Sequence, residues 1–226
     1  MGYLRNIGLV FFSPSQVGRS VSERPNWVIP IVTVLIVMFV ASFATYTYQV
    51  EYQKQAMQRL QRDRGVDIDI DSYLKPTLTK HVFSGVVGAL WALVMIVVGS
   101  SALLGLSAIT GGTGGFRRLL CFFGYVWVIG AAGNLAKVPL VLAKKSIDVR
   151  TSLGAFAPGV RFDSPTGLLL NSADIFSIWM VVATVMGFKV ITGLSTRKSV
   201  AIVVGLYALY VALKVIGALV SSRIMG

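Results

Sequence analysis

Acidic side chains cluster in one place only. Asp67-Ile68-Asp69-Ile70-Asp71 sets three carboxylates two residues apart, a spacing that invites comparison with a divalent-cation loop. An EF-hand counted from Asp67 needs Gly at its sixth position and Glu at its twelfth. Ser72 and Leu78 stand there, so that loop is absent. Period-two alternation instead puts Asp67, Asp69 and Asp71 on one side of a short strand or surface-lying segment, with Val66, Ile68 and Ile70 on the other. Weak binding of a cation is the functional alternative.

The run Gly111-Gly112-Thr113-Gly114-Gly115 lacks the Lys-Ser/Thr ending of a phosphate loop and follows no strand, so it reads as a flexible turn. Arg117 and Arg118 come directly after it. With Arg197 and Lys198 further on, they are the candidate contacts for lipid headgroups, whose phosphates suit such cations.

Ionisable groups inside apolar stretches are functional suspects, because a charge in the bilayer interior is expensive. Asn134, Lys137 and Asp174 form the candidate intramembrane polar set, with Lys189 and Lys214 beside them. Lys137 and Asp174 fall toward the same side of the bilayer, which allows an ion pair between the third and fourth spans. All four charged groups lie within about two turns of a helix end, where long side chains can reach the interface. Anchoring or structural pairing therefore stands ahead of a transport role. His81 is the only histidine and stands at a helix boundary. Cys121, the only cysteine, sits among Leu119, Leu120, Phe122 and Phe123 and reads as a small lipid- or core-facing residue. No second histidine and no serine–base constellation supports catalytic, metal or cofactor chemistry. The chain reads as a non-enzyme without cofactors.

The elements that must position these residues are five long apolar stretches in 226 residues: about 27–48, 82–109, 119–143, 171–193 and 199–220. The first has 22 residues and no charge, about 33 Å as a helix, which matches a hydrocarbon core of roughly 30 Å. Mean hydropathy of +0.74, with 55% hydrophobic and 13% charged residues, agrees. The predicted fold class is all-α: a single polytopic membrane domain over 1–226 with five transmembrane helices. The excess of 21 Lys+Arg over 9 Asp+Glu lies mostly in loops and at helix ends. It therefore suits anionic lipid, and no soluble basic module is present to bind nucleic acid. The N-terminus lacks the apolar region and cleavage site of a signal peptide, so the first span is expected to direct insertion.

Residues 1–26 form an amphipathic preface. Leu4, Ile7 and Phe11 share one helical face and predict an interfacial helix lying on the bilayer. Ser13, Pro14 and Gln16 suit a capping box at the start of a second short helix, with Val17 and Val21 on one face and Pro25 as its stop. Past Tyr48 the helical pattern continues to Arg64. Glycines recur in the second and third spans, among them Gly88 and Gly130, and favour close helix approach. An odd number of spans puts the termini on opposite sides. The N-terminal side holds seven Lys+Arg in 40 loop residues and the other side eleven in 66, so the positive-inside rule does not choose an orientation.

Phe11-Phe12-Ser13-Pro14, then Glu23-Arg24-Pro25-Asn26-Trp27 leading into the first span, resembles the entry segment of bacterial Yip family proteins (Ypt/Rab-interacting membrane proteins). Leu170-Asn171-Ser172-Ala173-Asp174-Ile175-Phe176-Ser177-Ile178-Trp179, Gly187 and Ser195-Thr196-Arg197-Lys198-Ser199 match better, and Phe116–Leu120 with Gly124-Tyr125 fit the start of the third span. Family members often carry a proline several residues after that Gly-Tyr; here Val128–Gly130 stand instead, leaving Pro139 as the only break in the helix. The resemblance implies five spans in a bacterial inner membrane with a cytosolic N-terminus. It implies Rab-class partners in eukaryotes, which are not expected for this chain. The resulting expectation is a membrane scaffold or adaptor in contact with lipid, a membrane complex or a second copy. The alternative is a transporter or channel-like subunit using Asn134, Lys137 and Asp174.

Overall fold

The computed structural model describes residues 2–64, 74–157, 159–161 and 164–225. Asp67, Asp69 and Asp71 lie outside the described residues, and so does the alternation read into them. Among the described residues the chain forms eight α-helices and one 3₁₀ turn. They are α1 (Gly2–Phe12), α2 (Pro14–Glu23), α3 (Val28–Arg64), α4 (Leu78–Ile109), α5 (Phe116–Lys144), the turn Leu153–Phe156, α6 (Pro165–Ser172), α7 (Ile175–Thr192) and α8 (Thr196–Met225). Five helices are long and apolar enough to span a bilayer: α3 over Val28–Gln55, α4, α5, α7, and α8 over Thr196–Val220. Helix is what lipid demands, since every backbone donor and acceptor must be satisfied within its own segment. Thr33 and Thr45 meet the same demand by donating to the carbonyls of Ile29 and Ala41.

The spans differ from their sequence bounds in instructive ways. α3 continues to Arg64 as the pattern predicted, so its 37 residues extend about 55 Å and pass well beyond the hydrocarbon. Pro139 sits inside α5 without ending it. The stretch 171–193 is not one helix. Ser164 caps the short α6 by accepting from Gly167 N, and Pro165 occupies its first turn. The chain breaks at Ala173, and Asp174 then caps α7 by accepting from Ser177 N at 2.9 Å. The break falls among Asn171, Ser172 and Asp174, a short polar interruption between the apolar Leu168-Leu169-Leu170 and Ile175-Phe176.

The N-terminal preface docks on the bundle. Val17 and Val21 of α2 are fully buried, and Gly18 lies against Gly187 of α7 so closely that a β-carbon on Gly18 would stand 3.1 Å from the Gly187 Cα. Behind Gly187, an added β-carbon would meet the Phe122 ring at 2.0 Å. In α1 the buried residues are Asn6 and Val10, with Ile7 and Phe11 packed against the core. Asn6 donates to Ser20 Oγ, and Tyr125 donates its hydroxyl to the carbonyl of Tyr3. Of the predicted face, Ile7 and Phe11 turn toward the helices, whereas Leu4 is exposed. The capping box is corrected. Ser13 occupies the N-cap of α2, but its side chain makes no capping bond; Gln16 N and Val17 N reach its carbonyl instead.

Candidate functional site

α5 is the spine of the bundle. α3 and α4 pack against it as one arm; α7 packs against it as the other and carries α8. Near the N-terminal side the two arms close around a continuous apolar core that includes Leu103, Phe122, Phe188 and Val203. There Lys198 Nζ donates to the Thr110 carbonyl at 2.9 Å and Thr113 N donates to the Thr192 carbonyl, tying the short loops together. Toward the opposite side the arms part and leave a cavity of about 1070 Å³, lined by α3, α4, α5, α6, α7 and α8. Its lining includes Val98 of α4 and Leu209 and Leu213 of α8, all more than half exposed, so the cavity opens sideways between these helices.

The inner part is apolar, with Leu103, Phe123 and Val203 at the narrow end. Trp127 lines it too, and its indole N–H is buried with no hydrogen-bond partner among the described residues. The outer part carries the charges. Lys137 Nζ lies 3.4 Å from Asp174 Oδ2, and the Asp174 side chain is only 10% exposed. Asp174 is therefore held from two directions, by the Ser177 amide on Oδ1 and by the Lys137 ammonium on Oδ2. Lys214 of α8 sits 5.4 Å from the centre of the Tyr210 ring, within electrostatic reach of both Asp174 and Lys137. Tyr207 donates its hydroxyl to the Ser172 carbonyl, fastening α8 to the end of α6. Among the described residues that line the cavity, two lysines face one carboxylate.

A folded connection floors this polar end. Lys145 ends α5 in the left-handed region, with φ 52°, and turns the chain beneath the cavity. Arg150 then gathers the connection: it meets both Asp148 carboxylate oxygens and donates to the carbonyls of Gly154, Ala157 and Val160. The Asp148 bond pushes the Arg150 guanidinium above its ordinary pKa. Ser152 bridges to the backbone of Asp174 and donates its hydroxyl to Asn171 Oδ1.

Of the predicted polar set, Lys137 and Asp174 come together as an ion pair. Asn134 also lines the cavity, but its amide donates to the Gly130 carbonyl and approaches Met38 Sδ. Lys189 bonds to Thr196 at the other side. Arg117, Arg118, Arg197 and Lys198 are exposed at the starts of α5 and α8, remote from the polar end of the cavity. His81 is tied into the α3–α4 contact through Thr47 and the Thr77 carbonyl, and Cys121 is buried in the core. Sequence reasoning missed the Arg150 clasp and the placement of Lys214 opposite the pair. An Asp-x-Arg in a polar linker gives no sign of the carbonyls that fold back onto it. The model of the Yip1 domain matches residues 8–219. No curated protein and no solved structure matches the chain.

Proposed function

The chain belongs to the Yip family, and from that premise we propose that this integral membrane protein is a non-enzymatic scaffold or adaptor, contacting lipid or a membrane complex. One observation carries the reading. The cavity is blind: it ends against the buried cluster of Leu103, Phe122, Phe188 and Val203, which the α1–α2 pair covers from the N-terminal side. A transport pathway needs a line of polar groups reaching both faces, and the inner half supplies only the Trp127 indole N–H and Thr184, whose hydroxyl is taken by the Met180 carbonyl. Lys137 and Asp174, the observation that favours the transporter alternative, satisfy each other at the rim. The basic residues support lipid contact in a second way. Lys198 answers to the Thr110 carbonyl, but Arg117, Arg118 and Arg197 also stand in the first turns of helices, where the macrodipole disfavours cations, so their placement answers to something outside the helix. Headgroup phosphates are that partner.

Reconstituted protein should pass no ions or protons. Lys137→Met, Asp174→Asn and the double change should alter stability modestly, with coupling of about 1 kcal/mol or less for a partly exposed pair. Reproducible flux abolished by Asp174→Asn in folded protein would overturn the scaffold in favour of its rival. The orientation that follows from the family resemblance is a cytosolic N-terminal side in a bacterial inner membrane. In intact cells an impermeant thiol reagent should spare Thr113→Cys in a Cys121→Ala background; labelling there would reverse it.

A further inference from the structure

Building on the scaffold reading, we propose that the blind cavity holds one anionic phospholipid, drawn sideways from the leaflet opposite the N-terminus. Its headgroup would lie between Lys137 and Lys214, and an acyl chain would run inward toward Trp127.

Length, access and charge all point to this occupant. From Lys214 to Val203 the cavity follows eleven residues of α8, about 16 Å, close to the half-thickness of a hydrocarbon core of roughly 30 Å. Its polar end faces the membrane surface and its apolar end the mid-plane, the same polarity as a lipid of that leaflet. Entry from the bilayer needs a lateral opening, and exposed Val98, Leu209 and Leu213 border one. A volume of about 1070 Å³ is at the upper end of pockets that enclose whole organic ligands, and far exceeds what an ion requires. Asp174 is already engaged by Ser177 N and Lys137, so two lysines against one carboxylate leave a single positive charge at the rim. A phosphodiester headgroup supplies its complement, and Tyr210 beside Lys214 provides the aromatic contact common at the membrane interface.

The test uses acyl-brominated phospholipids as quenchers of tryptophan fluorescence in proteoliposomes of the full chain. One variant keeps only Trp127 in the cavity (Trp27→Phe, Trp91→Phe, Trp179→Phe). The other keeps only Trp91, which is exposed on the outside of α4 (Trp27→Phe, Trp127→Phe, Trp179→Phe). Brominated phosphatidylglycerol should compete against brominated phosphatidylcholine about fivefold better at Trp127, the worth of one lysine at a membrane surface, and not at Trp91. Lys214→Gln should abolish that preference and Lys214→Arg should keep it. Excess inorganic phosphate should leave it unchanged, since the acyl chain holds the ligand. An equal ratio at Trp127 and Trp91 overturns the site, as does a preference that survives both Lys137→Gln and Lys214→Gln. Displacement by inorganic phosphate overturns the lipid as occupant. Flux measured in the same liposomes reports separately on the scaffold: a lost preference without flux removes only the site, and flux with the preference intact removes only the scaffold.

Discussion

The two halves of the bundle are built from the same five helices and treat space in opposite ways. On the N-terminal side, Gly18 and Gly187 let α2 and α7 touch backbone to backbone, and Phe122 fills the room behind them. On the other side α5 and α7 stay together, with Gly133 close against Phe176, while α8 stands off from α3 and α4, and lysines, a carboxylate and tyrosines line the cavity between them. Lipid offers no hydrophobic reward for helix association, so membrane helices stay together through close packing and interhelical hydrogen bonds. The packed half can therefore act as the clamp that allows the other half to stay open. Rigidity in one region is the condition for a cavity in the other.

Alanine placed at glycines in the two halves separates them. Gly187→Ala should have the largest effect, about 3 kcal/mol or more, because the new methyl group would overlap a Phe122 ring that is itself fully buried and has nowhere to turn. Thermal unfolding in mild detergent measures it, and amide exchange should show protection lost across 14–23 as α2 lifts. Gly18→Ala should cost about 1–2 kcal/mol, since its β-carbon meets the Gly187 backbone at 3.1 Å and α2 must retreat by only a few tenths of an ångström. If both variants unfold like the parent, the packed half is not the clamp.

How much of this was legible in the sequence follows the same division. Five spans, the long extension of α3 to Arg64 and the shared face of Val17 and Val21 all follow from periodicity and from the bilayer length, which are local properties. So does the meeting of Lys137 and Asp174 on one side of the membrane, since topology alone brings their ends together. The break at Ala173 was easy to miss because only Asn171, Ser172 and Asp174 interrupt the apolar residues on either side, and the capping carboxylate of Asp174 marks the restart. The cavity was hidden more deeply. It is a matter of how far apart two arms stand, and no residue of α8 announces that Lys214 faces Asp174 across it.

The α1 face gives an intermediate test. Ile7 and Phe11 pack against both buried clusters, whereas Leu4 is 69% exposed. Ile7→Ser with Phe11→Ser should destabilise by about 1–2 kcal/mol and raise exchange over residues 3–12, as expected for truncating partly buried apolar contacts. Leu4→Ser should stay within about 0.5 kcal/mol. Equal responses from the two faces would mean that α1 is not held by the core.

The smallest expected effect tests the open half most sharply. Gly130 of α5 lines the cavity, and a β-carbon there would stand 2.8 Å from Met180 Sδ. Taken as a distance, that is a severe clash, closer than the one at Gly18. The neighbour decides otherwise. Met180 offers the end of an unbranched, flexible side chain that itself borders the cavity, so it can swing aside into unfilled volume without moving the backbone. Replacing glycine by alanine inside a helix also removes an intrinsic penalty of up to about 1 kcal/mol. The two terms oppose each other, and Gly130→Ala should leave thermal stability within about 0.5 kcal/mol of the parent or slightly above it. A loss as large as that of Gly187→Ala would mean that Met180 has no room to move, and that the open half is as tightly packed as the closed one.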